Sequence, residues 1–108
     1  VDDIIASKPS GQSWTKRLVN SDSNSATLIC QLPGEGNRLH YHADWNEWWY
    51  IVKGRWEWEI EGRKIEVNKG DVIFIEKGKL HKITAIGNEP AIRFAVSRAD
   101  VMHIYPHK

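Results

Sequence analysis

Two histidines one residue apart are the first side chains in this sequence that could do chemistry. His40 and His42 flank Tyr41, and in an extended chain residues two apart project from the same face. Two imidazoles side by side can both coordinate one metal ion. Glu47 follows His42 by five residues, an odd offset that would place it on the opposite face of a continuous strand. A turn over residues 43–46 would bring it back to the same face. The carboxylate then returns beside the histidines from the next strand.

A third histidine, His81, lies on a later predicted strand, after a turn that contains Gly78. Neutral imidazole suits Fe, Zn, Ni and Cu, and an added carboxylate suits Fe and Mn as well. The alternative interpretation is that these are scattered polar residues on the surface of a β-sheet protein. The sequence contains no phosphate-binding glycine loop and no serine nucleophile elbow.

The elements that must position these side chains are short β-strands. Strands are predicted over residues 26–32, 47–53, 55–61, 63–67, 72–75, 81–86 and 91–97. Segment 55–61 alternates, with Trp56, Trp58 and Ile60 on one face and glutamates on the other, which is the period of a strand with one buried face. Such a series of short strands, with no helix long enough for a parallel crossover, predicts an antiparallel sandwich or barrel.

The spacing of glycine, histidine and glutamate resembles the two signature motifs of the cupin superfamily. The first motif is matched at every fixed position, by Gly34, His40, His42, Glu47 and Gly54. The second motif is similar at Gly70, Gly78 and His81. It departs at two positions that are structural in the family, since Glu76 stands where cupins usually have proline and Ala85 where they usually have asparagine. The motifs cover residues 34–81, and the strand pattern extends the resemblance to most of the chain.

The resemblance implies an all-β fold, a single-domain double-stranded β-helix or jelly-roll barrel. It also implies one divalent metal ion inside the barrel, with Fe(II) or Mn(II) favoured and Zn or Ni as alternatives. The implied ligands are His40, His42, Glu47 and His81. The expected barrel spans residues 26–97, after an N-terminal segment 1–25 with an edge strand near residues 14–19. A C-terminal tail 98–108 follows, whose His103 and Tyr105 could fold over the barrel mouth.

The same resemblance implies a metal-dependent enzyme acting on a small polar or anionic organic molecule. Three histidines and a glutamate resemble the ligands of Fe- or Mn-dependent cupin dioxygenases, and Glu47 could detach to act as a catalytic base. Isomerases or lyases of sugars and small acids share this ligand set, so they are an alternative. A non-catalytic cupin that binds a small molecule is a second alternative.

Three further residues are candidates for substrate binding. Trp49 shares a face with Glu47 by strand parity, so we expect it to point into the barrel beside the metal. Arg38 shares the parity of His40, and Arg93 lies opposite the apolar face of its own strand. Either guanidinium could clamp a carboxylate or phosphate with its planar fork. The alternative for both arginines is a solvent-exposed side chain.

The other tryptophans bear on packing and association. Trp56 and Trp58 share one face, which points either into the barrel or toward a partner. Because cupins often dimerise through sheet faces, the resemblance also implies a homodimer, and an exposed tryptophan pair would fit such an interface.

Composition excludes several classes of function. With 108 residues the chain is long enough for one domain, and its formal charge of +1 provides no strong field to attract nucleic acid or an anionic membrane. Cys30 is the only cysteine, which excludes an internal disulfide and fits a reducing compartment. No apolar run approaches the roughly 18–20 residues of a membrane span, and no signal peptide opens the sequence. We therefore expect a cytoplasmic protein without nucleic-acid or membrane partners.

Overall fold

The computed structural model describes residues 1–41 and 46–98, and strands dominate them. The elements are α1 (Asp2–Ala6), β1 (Trp14–Asn20), β2 (Asn24–Gln31), β3 (Glu47–Lys53), β4 (Arg55–Ile60), β5 (Arg63–Asn68), β6 (Val72–Ile75), β7 (His81–Ile86) and β8 (Ala91–Arg98). The seven strands expected from residue 26 onward are confirmed to within two residues at each end. The short helix α1 was not expected, because five residues are too few to show a helical period.

The strands form two antiparallel sheets that face each other. One sheet has five strands in the order β1-β2-β8-β3-β6, and the other has three in the order β5-β4-β7. The chain before β3 adds to the free edge of β7 through two bridges, Gly36 with Thr84 and His40 with His81. This all-β, jelly-roll arrangement confirms the fold class. No helix among the described residues is long and apolar enough to cross a membrane.

The main core fills the space between the two sheets. Trp49, Trp56 and Trp58 are buried there, and the rings of Trp49 and Trp58 meet edge to face with centroids 4.3 Å apart. Such an arrangement is the favoured geometry for aromatic pairs. The sequence left open whether Trp56 and Trp58 face the interior or a partner, and the structure places both in the interior.

A second core covers the part of the outer face of the five-stranded sheet that β2 and β8 form. Leu28, Cys30 and Ile92 form its centre, and Ile4 and Ile5 of α1 pack against it. Burial raises the pKa of the Cys30 thiol above its ordinary value, so this cysteine is held in its neutral, apolar form. The N-terminal segment therefore shields the outer face of the sheet over β2 and β8.

Gly36 allows the chain before β3 to approach β7 at close range. A Cβ atom built on Gly36 would overlap the backbone oxygen of Ile83 and lie 2.8 Å from Cα of Thr84. No side chain fits at that distance, because the obstructing atoms belong to the backbone. The glycine is thus required for the edge pairing that continues to His40.

We predict that Gly36→Ala destabilises the protein by about 2–3 kcal/mol or more, the cost of overpacking against a rigid neighbour. The matched control is Gly11→Ala, where φ is +72° but nothing lies within 4 Å of the new Cβ. That variant incurs only the backbone cost of about 1–2 kcal/mol. Chemical denaturation measures both, and equal losses in the two variants would contradict the close-approach argument.

Candidate metal centre

Three buried side chains converge inside the barrel. One ligand atom each from His40, Glu47 and His81 lies within 4.8 Å of the other two, and all three residues are buried. Oε1 of Glu47 is 3.5 Å from Nε2 of His81, and the two imidazole centroids are 4.2 Å apart. A carboxylate and two imidazoles are ligand types suited to iron, manganese and zinc.

Both sheets contribute to this cluster. His40 and His81 exchange backbone hydrogen bonds, with His40 N–H donating to the His81 carbonyl at 3.0 Å and His81 N–H donating to the His40 carbonyl at 2.8 Å. Directly paired residues of an antiparallel ladder project to the same face, so the two imidazoles lie side by side. Glu47 begins β3 in the facing sheet, and its carboxylate closes the cluster from across the barrel.

The orientation of each imidazole is fixed by a backbone carbonyl. Nδ1 of His40 lies 2.6 Å from the carbonyl oxygen of Arg38, and Nδ1 of His81 lies 2.9 Å from that of Lys79. A carbonyl only accepts, so each Nδ1 carries the proton and donates it. Nε2 is then the atom with a lone pair directed into the cluster. Metal-binding histidines are commonly held in this way by their second nitrogen.

An aromatic layer encloses the cluster on one side. The ring of Trp58 lies 5.8 Å from that of His81 by centroid distance, and the ring of Trp49 lies 6.2 Å away. Trp49 thus points inward beside the cluster, in the orientation that strand parity predicts. This layer excludes water and strengthens electrostatic interactions in the interior.

Arg93 is a buried cation in contact with Trp49 of this layer. Its side chain is 2% exposed, and its Cζ lies 4.6 Å from the centroid of Trp49 and 5.0 Å from that of Trp56. Burial lowers the pKa of Arg93 to about 10, against the opposing effect of the Glu47 charge. The group therefore remains protonated at neutral pH.

The sequence and the three-dimensional fold agree with those of known proteins. The profile of the Cupin domain family matches residues 27–97, more than half of the chain. The chain belongs to the cupin family. This confirms the resemblance drawn from the two motifs.

Individual relatives of this cupin cover it only in part. An uncharacterized protein of Methanocaldococcus jannaschii is 42% identical over 57 residues, which are 53% of this chain and 46% of that protein. The oxalate-binding protein of Thermotoga maritima is 32% identical over 68 residues, which are 60% of this chain and 56% of that protein. The chain thus spans about half the length of the curated relatives it matches.

Solved structures support the fold more broadly. A Klebsiella pneumoniae protein with a double-stranded β-helix domain superposes with a TM-score of 0.80, covering 94% of this chain and 85% of its own, at 20% identity. At that identity the likeness concerns the fold alone.

The residues of this cluster fit a divalent metal ion. The donors are of suitable types, their ligand atoms are close enough to share one ion, and the paired histidines are already oriented. His40, Glu47 and His81 are thus brought together as the sequence predicted. His42 lies outside the described residues, as do His103 and Tyr105. Arg38 is exposed, and its backbone carbonyl oxygen accepts the hydrogen bond from Nδ1 of His40. A role for its side chain in substrate binding stays a prediction.

Two residues that the sequence analysis missed hold the loop before His81. Glu61 accepts a 2.6 Å hydrogen bond from Leu80 N–H on its Oε2, and its own N–H donates to the Leu80 carbonyl at 2.9 Å. Asn46 accepts a bond from Lys77 N–H at 2.8 Å on its Oδ1. Glu61 adopts a left-handed φ of 49°, which is uncommon for a residue with a side chain. Only the turn signal at Glu61-Gly62 hinted at this role.

We predict that Glu47→Gln and His81→Ala each weaken metal binding by at least about tenfold, because each removes one donor from a buried cluster. The matched control is Glu59→Gln on β4, an acidic residue outside the cluster, which should bind metal like the parent protein. Elemental mass spectrometry of chelator-free protein gives the metal content, and competition with a chelator gives the affinity. Parent-like metal affinity in both cluster variants would show that Glu47 and His81 are not metal ligands.

Proposed function

We propose that this cupin binds one divalent metal ion and is a metal-dependent enzyme for a small polar or anionic organic molecule. The observation that carries the proposal is the buried cluster of His40, Glu47 and His81, whose ligand atoms lie within 4.8 Å of one another. The three donors are one carboxylate and two imidazoles, which are ligand types suited to a divalent ion.

The chain's own residues have separate tasks in this proposal. His40 and His81 hold the ion through Nε2, with His42 as the proposed further ligand from the adjoining segment. Glu47 is both a ligand and the group that can take up or release a proton when its carboxylate detaches. When bound, the ion would polarise a substrate oxygen or supply redox chemistry. Trp49 and Trp58 keep bulk water from the reacting groups.

The ligand types favour dioxygenase-type chemistry over isomerase or lyase chemistry. Imidazole and carboxylate donors suit Fe(II) and Mn(II), and histidine–carboxylate sets with open positions are typical of non-haem iron oxygenases. Zinc or nickel in the cluster would instead favour an isomerase or a lyase of a sugar or small acid. A cytoplasmic location remains our expectation.

A second candidate function is non-catalytic binding of a small acid. It is supported by the relative from Thermotoga maritima, which is named an oxalate-binding protein. The two functions differ in whether product forms, since both include a metal ion and a bound acid.

The metal content of untagged protein purified without chelator tests the proposal first. We expect about one equivalent of iron or manganese, because the cluster offers donors for one ion. Oxygen uptake is then measured with small carbonyl and hydroxy acids, using Glu47→Gln as the control. Saturable acid binding without oxygen uptake or product would favour the binder. Protein that contains no metal and takes up none on addition would refute the metal-dependent function.

We further propose that this cupin is a homodimer through the outer face of its five-stranded sheet. Trp48, Tyr50, Val72 and Phe74 form an apolar patch there and are 40%, 40%, 64% and 55% exposed. Trp48 pairs with Phe74 and Tyr50 with Val72 across β3 and β6, so the patch is continuous. Contiguous exposed apolar surface usually marks a contact site, and a two-fold axis lets one patch cover itself.

The double variant Trp48→Glu/Phe74→Glu should be monomeric, because four buried carboxylates in the symmetric interface would lack partners. The matched control is Val19→Glu, an apolar residue that is 44% exposed on β1, at the opposite edge of the sheet from β6. Light scattering coupled to size exclusion gives the mass of each species. A monomeric parent protein would refute the dimer, and a dimeric double variant would move the interface elsewhere.

A further inference from the structure

The starting point is the position of Arg93 in the middle of the five-stranded sheet. Its strand β8 lies between β2 and β3, where Arg93 is paired with Ile29 on one side and Ile51 on the other. Both neighbours are apolar, and the guanidinium extends into the interior between Trp49 and Trp56. Burying the charge of an arginine among isoleucine and tryptophan is costly unless other groups compensate it.

Most of the hydrogen-bonding capacity of Arg93 is unfilled. Nη2 donates to Oδ1 of Asn37 at 3.1 Å, whereas Nε and Nη1 have no hydrogen-bond partner among the described residues. A buried donor without a partner carries its full desolvation cost. Native proteins seldom leave several such donors in one side chain unless a ligand satisfies them.

The geometry leaves only the rim of the guanidinium for a ligand. The two indole rings lie near its faces, at 4.6 Å and 5.0 Å from Cζ, and cation–π contact holds it in one orientation. The in-plane N–H groups are the part that binds carboxylates, with paired, charge-assisted hydrogen bonds. The orientation of the guanidinium is therefore set before a ligand arrives, which lowers the entropic cost of binding.

The charge inside the barrel favours an anion. Between the two sheets, the buried ionisable side chains among the described residues are His40, Glu47, His81 and Arg93. The carboxylate of Glu47 balances the Arg93 cation when no ion is bound, but a bound divalent ion would leave an excess of positive charge. An anionic ligand supplies the missing negative charge in a region where water screens little.

One indole connects this cation with the metal cluster. Trp49 lies 4.6 Å from Cζ of Arg93 and 6.2 Å from the ring of His81. The cation and the cluster therefore contact the same indole ring, and a ligand that binds both must be several atoms long.

We infer that Arg93, with Asn37, is a carboxylate-binding subsite that is separate from the metal cluster. The ligand is then a small organic acid with two oxygen-bearing groups, such as a dicarboxylate. One carboxylate binds Arg93, and the other group lies at the cluster of His40, Glu47 and His81. This inference rests on the proposed function for the charge balance and for the second contact, whereas the hydrogen bonds to Arg93 themselves need no metal ion.

The test titrates metal-loaded and chelator-treated protein with oxalate, malonate, succinate and glutarate. Tryptophan fluorescence is one readout, since Arg93 contacts two indoles, and calorimetry is the other. Succinamide, which has the same length but no charge, is the ligand control. We expect one dicarboxylate to bind best, succinamide not to bind, and metal removal to weaken but not abolish binding.

Two variants locate the subsite. Arg93→Met should raise the dissociation constant of the best dicarboxylate by about a hundredfold in metal-loaded protein, as for the loss of a charged hydrogen-bonded pair worth about 3 kcal/mol. Arg93→Lys keeps the charge without the planar fork and should raise it about tenfold. The matched control is Arg55→Met, because Arg55 is paired with Glu66 on the surface. That variant should bind like the parent protein.

The outcomes separate this inference from the proposed function. If metal content is unchanged in Arg93→Met and the dicarboxylates bind as tightly as to the parent, the subsite is refuted while the metal centre stands. If the parent holds no metal but binds a dicarboxylate through Arg93, the subsite stands and the metal-dependent function fails. No binding of any dicarboxylate at millimolar concentration would also refute the subsite. Should Arg93→Met not fold, parent-like affinity in Arg93→Lys would refute it.

Discussion

The exchange of backbone hydrogen bonds between His40 and His81 is the constraint on which the candidate site depends. This pair fixes two imidazoles from distant parts of the sequence on one face, at the edge of the smaller sheet. It requires the close approach at Gly36, where a side chain would meet backbone atoms of β7. It also requires the loop before His81 to end opposite His40, and the two hydrogen bonds between Leu80 and Glu61 hold that loop. The chemistry of the cluster thus rests on backbone geometry around it.

The barrel interior combines tight aromatic packing with charges that are expensive to bury. Trp49 is common to both features, because its ring contacts Trp58, approaches His81 and lies beneath the Arg93 guanidinium. An interior of aliphatic side chains would offer the cation no compensating quadrupole. The buried tryptophans therefore serve stability and electrostatics together.

Much of the fold and part of the site could be predicted from the sequence. Strand parity correctly placed Glu47, Trp49 and Ile51 on one inward face, since the period of a strand is independent of its partners. Parity could not decide which face of β4 was inward, because Trp56 and Trp58 suit a core and an interface equally well. The roles of Glu61 and Asn46 were also missed, since each acts on backbone N–H groups that only the folded loop brings near.

The wide separation of His40 and His81 along the chain has a consequence for folding. Their contact closes a long loop, and contacts of this kind form late and slowly because chain entropy opposes them. The cluster is therefore absent from the unfolded chain and complete only when both sheets have docked. An ion that binds it adds to the stability of the folded state alone, in proportion to the logarithm of its concentration. Thermal stability and metal occupancy are then two measures of a single equilibrium.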